Sequence, residues 1–187
     1  MLRFVICLLA LHFAAAPAHA ERKPGGGAQA IAPNQELADA FAIRGLSLAK
    51  QGRYAAAIAD FGQAIKLNPN YAIAYNNRGS AHQKNGQYER AIADFGQAIE
   101  LDPDYAAAYN NRGGAFAEKG AYARAIADYT RALELNPNLA LAFTNRGSAH
   151  EISGQRKKAV ADLRKALALR PGDGRISAIL KRLGAAP

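Results

Sequence analysis

Few side chains in this 187-residue sequence are of a type suited to catalysis. Of its four histidines, His12 and His19 fall at the apolar N-terminus, which leaves His82 and His150. Each follows a serine by two positions, Ser80 and Ser148. A nucleophile and its base must touch, and residues two apart on a helix do not face each other. A shared metal is also excluded. His82 and His150 stand two sequence periods apart, and helices pack roughly 8–10 Å from axis to axis, far beyond a common ligand distance. Both histidines are read as core residues. Cys7 is the only thiol, so a disulfide or thiolate site is ruled out. The glycines fall at helix ends and helix contacts, and none forms a phosphate-binding loop. The chain is therefore expected to be non-catalytic, with no cofactor, metal or small-molecule substrate.

Side chains suited to recognition do recur. Tyr75-Asn76-Asn77-Arg78-Gly79 returns 34 residues later as Tyr109-Asn110-Asn111-Arg112-Gly113. Looser copies stand one period to either side, Phe41-Ala42-Ile43-Arg44-Gly45 and Phe143-Thr144-Asn145-Arg146-Gly147. A carboxamide donates and accepts at once, which suits a peptide bond. Asparagine is also a mediocre helix former, so Asn77, Asn111 and Asn145 at mid-helix positions call for a reason. They are candidate ligand contacts, with Asn76 and Asn110 beside two of them. Lys50, Ser80, Lys84 and Glu118 differ from repeat to repeat and are the candidates for specificity. Each recurring arginine is matched by an aspartate: Asp60, Asp94, Asp128 and Asp162 accompany Arg44, Arg78, Arg112 and Arg146. A partly buried arginine needs a carboxylate, within its own repeat or across to the next.

Charge is uneven. Residues 140–187 hold ten Lys or Arg against three Asp or Glu, a net +7 of the whole chain's +9. Arg156, Lys157, Lys158, Arg164 and Lys165 form a candidate anion-binding patch. It lacks interleaved aromatics, which weighs against nucleic acid and toward an anionic polymer or membrane surface.

These residues are positioned by a repeat array, which is what a fixed period of this length signifies. Four copies run 38–71, 72–105, 106–139 and 140–173, the middle two identical at 19 of 34 positions. Each copy holds two helical patterns split by a glycine able to cap the first helix in the left-handed region: Gly52, Gly86, Gly120 and Gly154. Ala57, Phe61 and Ala64 show the i, i+4, i+7 spacing of one helix face. Pro69, Pro103, Pro137 and Pro171 stop the second helices, and Asn70, Asp104 and Asn138 are read as caps of the helices that follow. A helix pair cannot bury its apolar face alone, so stacking supplies the core. Residues 174–183 form a last helix with Asp173 at its N-cap, and the apolar stripe Ile176, Ile179, Leu180, Leu183 covers the end of the array. Residues 174–187 are thus capping helix and tail. Residues 21–37, with Pro24, a glycine triplet and Pro33, read as a flexible linker.

The pattern resembles the tetratricopeptide repeat family. In each copy an aromatic at position 4 is followed by Gly at 8, Ala at 20 and 27, and Pro at 32, as in Phe41, Gly45, Ala57, Ala64 and Pro69. The resemblance covers residues 38–173 and implies a right-handed all-α solenoid of four helix-turn-helix repeats. It also implies that the first helices line a concave surface holding an extended peptide, with the asparagines as a ladder along it. Arginine at position 7 and aspartate at position 23 depart from the family pattern. The family's carboxylate clamp for acidic C-termini is missing, since Ala42, Leu46, Ala107 and Asn111 occupy its positions. The expected partner is an unknown protein or peptide. The alternative is that the basic C-terminal patch binds an anionic envelope polymer, a membrane surface or nucleic acid.

Residues 1–20 read as a secretory signal peptide, which implies a periplasmic or secreted scaffold of the cell envelope. Arg3 supplies the basic start, Phe4 to Ala16 an apolar run too short to span a bilayer, and Ala18-His19-Ala20 a small-x-small cleavage pattern. Cleavage removes Arg3 and takes the formal charge from +9 to +8. Mass spectrometry of the exported protein is expected to find Glu21 at the N-terminus; a chain still carrying Met1 would refute cleavage.

Overall fold

The computed structural model describes residues 33–185, so residues 1–20, read above as a signal peptide and including Cys7, and most of the segment read as a linker lie outside the described residues. Those described form helices and no strand. They divide into two compact units, 33–103 and 104–185. The first contains α1 (Pro33–Lys50), α2 (Tyr54–Leu67), α3 (Ala72–Lys84) and α4 (Tyr88–Leu101). The second contains α5 (Ala106–Glu118), α6 (Tyr122–Leu135), α7 (Ala140–Ile152), α8 (Arg156–Leu169) and α9 (Gly174–Arg182). Each sequence repeat supplies one antiparallel helix pair, the all-α helix-turn-helix architecture expected from the period.

Two local expectations change. The linker ends earlier than residue 37, because α1 begins at Pro33, where proline's missing N–H costs nothing. Glu36 lies in the first turn, and Gln35 donates to Asp39 Oδ1 at 2.9 Å while accepting from Asn68 Nδ2 at 2.7 Å. Nor do Asn70 and Asn138 cap the helices after them. The N-caps of α3 and α7 are Tyr71 and Leu139, with no side-chain cap bond, and Tyr105 takes this place for α5 where Asp104 was expected. The turn is instead held one step earlier: Asn68 Oδ1 accepts from the Asn70 N–H at 3.0 Å, and Asn136 Oδ1 from that of Asn138 at 3.1 Å. The asparagine before the proline thus uses its side chain as a turn acceptor.

The four inter-helix glycines all adopt the left-handed region, with φ of 74–76°. At the first of them the Arg53 N–H reaches Leu48 O at 2.9 Å and the Gly52 N–H reaches Ala49 O at 3.0 Å, which closes the last turn of α1. The helices of a pair then approach on a second glycine. A Cβ on Gly79 would lie 2.8 Å from the Phe95 ring and 3.2 Å from Ala91 O; on Gly113 it would meet Tyr129 at 2.8 Å. Phe61, Phe95 and Tyr129 are wholly or almost wholly buried, so these rings cannot swing away.

At the C-terminal end of the second unit, Asp173 caps α9 by accepting from the N–H groups of Arg175 and Ile176. Ile176 and Leu180 are buried in one cluster with Ala142, Phe143, Leu163 and Ala166, and Ile179 and Leu183 pack on its edge. Full burial of an aliphatic side chain is worth about 1.5–3 kcal/mol, so α9 is a substantial part of this unit's core.

Repeat four has Leu163 where the others have an aromatic, and a Cβ on Gly147 would meet it at 3.1 Å. Overpacking costs about 1–3 kcal/mol, while Gly→Ala in a helix gains about 1. Thermal melts should therefore show Gly79→Ala destabilised and Gly147→Ala near wild type. Equal losses at both sites would remove the ring contact as the cause.

Candidate peptide-binding faces and basic surface

The recurring arginines and aspartates meet within each repeat, which resolves the choice the sequence left open. Arg78 Nε and Nη2 donate to the two Asp94 oxygens at 2.8 and 2.7 Å. The other pairs repeat this fork: Arg44–Asp60 at 2.6 and 2.7 Å, Arg112–Asp128 at 2.8 and 2.8 Å, Arg146–Asp162 at 2.7 and 2.8 Å. In every copy the guanidinium also stacks on the aromatic three residues earlier, with Phe41, Tyr75, Tyr109 and Phe143 centroids 5.3–5.7 Å away. Hydrogen bonding to the carboxylate raises Arg78 and Arg112 above the ordinary arginine value, against the opposing effect of burial.

The histidines belong to the same clusters. His82 Nε2 lies 3.7 Å from Asp94 Oδ2, and its Nδ1 lies 2.6 Å from Gln87 Oε1. His150 Nε2 lies 3.9 Å from Asp162 Oδ2. Burial pushes His150 below the ordinary histidine value; Asp162 opposes this, and Arg146 and Lys158 add to it. Ser80 is fully buried and donates to Asn76 O at 3.0 Å, so it neither approaches His82 as a nucleophile nor serves as the ligand contact expected of it. Among the described residues no group of three or more His, Cys, Asp or Glu is placed to hold a metal.

The amides are placed differently from an open ladder. Asn76 and Asn77 are fully buried on α3, and Asn110, Asn111 and Asn145 are 3, 2 and 7% exposed. Asn145 Nδ2 donates across the repeat boundary to Asn110 Oδ1 at 3.2 Å, and Asn110 Nδ2 to Asn111 Oδ1 at 3.4 Å. Within the second unit this amide chain joins α5 to α7. In the first unit Asn76 Nδ2 lies 3.5 Å from Asn77 Oδ1. Buried amides must be bonded, and neighbouring amides serve that need here. The exposed part of the first-helix face is elsewhere: Lys50 and Lys84 are exposed and Glu118 half-buried, and Ile43, at the position other repeats give to asparagine, is 60% exposed.

One of the five basic residues differs from the other four. Lys157, Lys158, Arg164 and Lys165 are exposed on α8. Arg156 is instead a tether, donating through Nε at 2.9 Å and through Nη2 to Leu183 O, the carbonyl at the end of α9. Arg182 likewise grips Glu151 with 2.8 and 2.9 Å bonds. Sequence reasoning missed both tethers, because they join residues 27 and 31 positions apart with no repeating counterpart. It also missed the stacking, although aromatic-x-x-Arg recurs in all four copies.

The family models for "TPR repeat" and "Tetratricopeptide repeat" match residues 45–86, and residues 77–140 and 122–174, respectively. The chain belongs to the tetratricopeptide repeat family. No curated protein matches the sequence significantly. Similar solved structures include MamA protein, 24% identical with a TM-score of 0.71 over 79% of this chain and 81% of that one. Pseudomonas aeruginosa pilF is 22% identical with a TM-score of 0.75 over 80% and 68%. At these identities the likeness shows the fold alone. The first TPR of Spaghetti (RPAP3), solved bound to HSP90 peptide SRMEEVD, is 28% identical with a TM-score of 0.63 over 64% and 95%. A TPR fold suggests a protein–protein interaction scaffold, and proteins of this family are generally non-catalytic.

The pair geometry predicts an asymmetry. The Asp94 side chain is 9% exposed and that of Arg78 24%, so loss of Arg78 strands the more deeply buried charge. Breaking a buried pair costs on the order of 3–5 kcal/mol. Chemical denaturation should rank Arg78→Ala below Asp94→Ala, with the double variant recovering part of the loss. Purely additive losses would overturn the coupling.

Proposed function

We propose that the protein is a non-catalytic scaffold of the cell envelope that binds an extended polypeptide along the faces of its first helices. The observation that carries this reading is the first-helix face itself: a layer of amides recurring with the repeat, topped by exposed side chains that differ between repeats. In this reading Asn77, Asn111 and Asn145 are the floor on which the ligand lies. Asn145 ties α7 to α5 through Asn110, and as the most exposed of the three it offers its remaining donor and acceptor capacity to the peptide backbone. Each neutral hydrogen bond nets about 0.5–1.5 kcal/mol, whereas micromolar affinity needs about 8, so the amides alone bind weakly. Selection rests on Ile43, Lys50, Lys84 and Glu118. The SRMEEVD complex of the similar domain supports peptide binding as a mode of this fold. That peptide is not the expected ligand, because the clamp positions hold Ala42, Leu46, Ala107 and Asn111. The envelope assignment is supported by the N-terminal pattern of residues 1–20.

The test is selection of binders to the full chain from a random peptide library. Selected peptides should bind at least tenfold more weakly, roughly a 1.4 kcal/mol loss, to Lys50→Glu/Lys84→Glu and to Asn111→Ala/Asn145→Ala. They should bind unchanged to Lys157→Glu/Arg164→Glu. SRMEEVD should not bind. Binders insensitive to both first-helix variants would remove the ligand from these faces.

A further inference from the structure

The outer face of α8 bears cations in two lengthwise rows. Lys157 and Arg164 are seven residues apart, as are Lys158 and Lys165. Seven residues are two helical turns, so each pair stacks in line at about 10.5 Å. All four are exposed, and exposed Ala161 and Ala168 lie between the rows. The Lys165 ammonium also sits 5.4 Å from the ring centroid of Phe143 on α7. Arg170, Arg175 and Lys181 extend the exposed charge past the end of α8 and onto α9.

The three acids of residues 140–187 do not offset these rows. Asp162 is held by Arg146, Glu151 by Arg182, and Asp173 by the N-terminus of α9, with Arg175 3.8 Å away. The apolar stripe of α9 is also used up, since Ile176 and Leu180 are buried in the core. What remains at the surface is a shallow open cleft of about 510 Å³, with Leu167, Ala168 and Pro171 beside Arg164, and with Leu169 39% exposed at the edge of the rows.

We propose that this face docks on an anionic phospholipid bilayer. Two rows of cations on a rigid helix meet phosphates without needing a register, which a headgroup layer supplies continuously. The exposed Leu169 and the Leu167–Pro171 cleft sit among the cations, where a headgroup–acyl boundary accommodates apolar contact and a phosphodiester polymer does not. Aromatic platforms for stacking bases are absent from the rows, and so are amides for reading base edges. The face lies on α8 and α9, which carry none of the amides proposed to underlie a peptide, so the proposal does not depend on that reading.

The experiment titrates the full chain with vesicles of phosphatidylcholine, alone and mixed with phosphatidylglycerol, at low and physiological salt. Binding to the mixed vesicles is expected to exceed that to phosphatidylcholine alone, and the excess should weaken with salt. A surface cation contributes roughly fivefold in partitioning, so Lys157→Glu/Arg164→Glu should lose about 25-fold or more. Arg53→Glu/Lys66→Glu changes the net charge equally, on exposed residues of the other unit, and should bind as wild type. Arg156 is left untouched because it tethers α9, and circular dichroism verifies that each variant is folded. The apolar N-terminal run is common to all variants, so differences between them report on the face alone. Equal loss in both variants, or no loss in either, would overturn the proposal. So would duplex DNA bound more tightly than the mixed vesicles and released by the same Lys157→Glu/Arg164→Glu change.

Discussion

Four carboxylates held away from water set the terms for the rest of this structure. Asp60, Asp94, Asp128 and Asp162 are only 6–7% exposed, and an ion so placed is tolerated only with a counter-ion and its hydrogen bonds in place. Each arginine supplies these through two forked bonds and fills its remaining face by stacking on the aromatic of its own helix. The fork joins the first helix of a repeat to the second. A repeat that lost its aspartate or its arginine would thus lose the tie between its halves. The same carboxylate also draws in the buried histidines of repeats two and four, so the residue type most suggestive of catalysis is absorbed into packing.

The second constraint is closeness. Gly45, Gly79 and Gly113 let a buried ring lie against the backbone of the first helix. A glycine chosen for closeness is distinct from the left-handed glycines of the turns, whose would-be Cβ atoms meet nothing within 4 Å. Repeat four relaxes the first constraint with Leu163 and adds other ties. Its core runs on into α9, and Arg156 and Arg182 fasten α9 to α8 and α7. The last repeat thereby exchanges a ring contact for a cap.

The helix pairs were legible in the sequence because glycine, alanine, aromatic and proline recur at fixed offsets, and each offset has one mechanical role. The Arg–Asp partnership was legible as a chemical need, but its geometry was not, since a period aligns residues within a repeat as readily as between repeats. The burial of the amides was not legible for a related reason. Helical spacing places Asn77, Asn111 and Asn145 on the face away from the partner helix, but it cannot show that the neighbouring repeat's first helix closes over that face, as α7 does against α5. Likewise a run such as Arg156-Lys157-Lys158 reads as one patch in sequence, although Arg156 turns to a carbonyl and the two lysines do not.

The third nitrogen of the arginine fork makes the repeat boundaries unequal. Arg146 Nη1 donates to Thr130 Oγ1 of the preceding repeat at 2.9 Å, so α7 is bolted to α6 by a side-chain bond as well as by packing. Between the first two repeats the matching residue is Gly62, whose missing Cβ would lie 3.9 Å from Arg78 Nη1 and which has no hydroxyl to offer. In a linear array, stability is a sum of unit terms and nearest-neighbour terms, and the weaker junction opens first. The Thr130 hydroxyl adds to one such nearest-neighbour term, and Gly62 has no counterpart to add. This one hydroxyl, remote from any ligand face, is a tie that one of these two boundaries has and the other lacks.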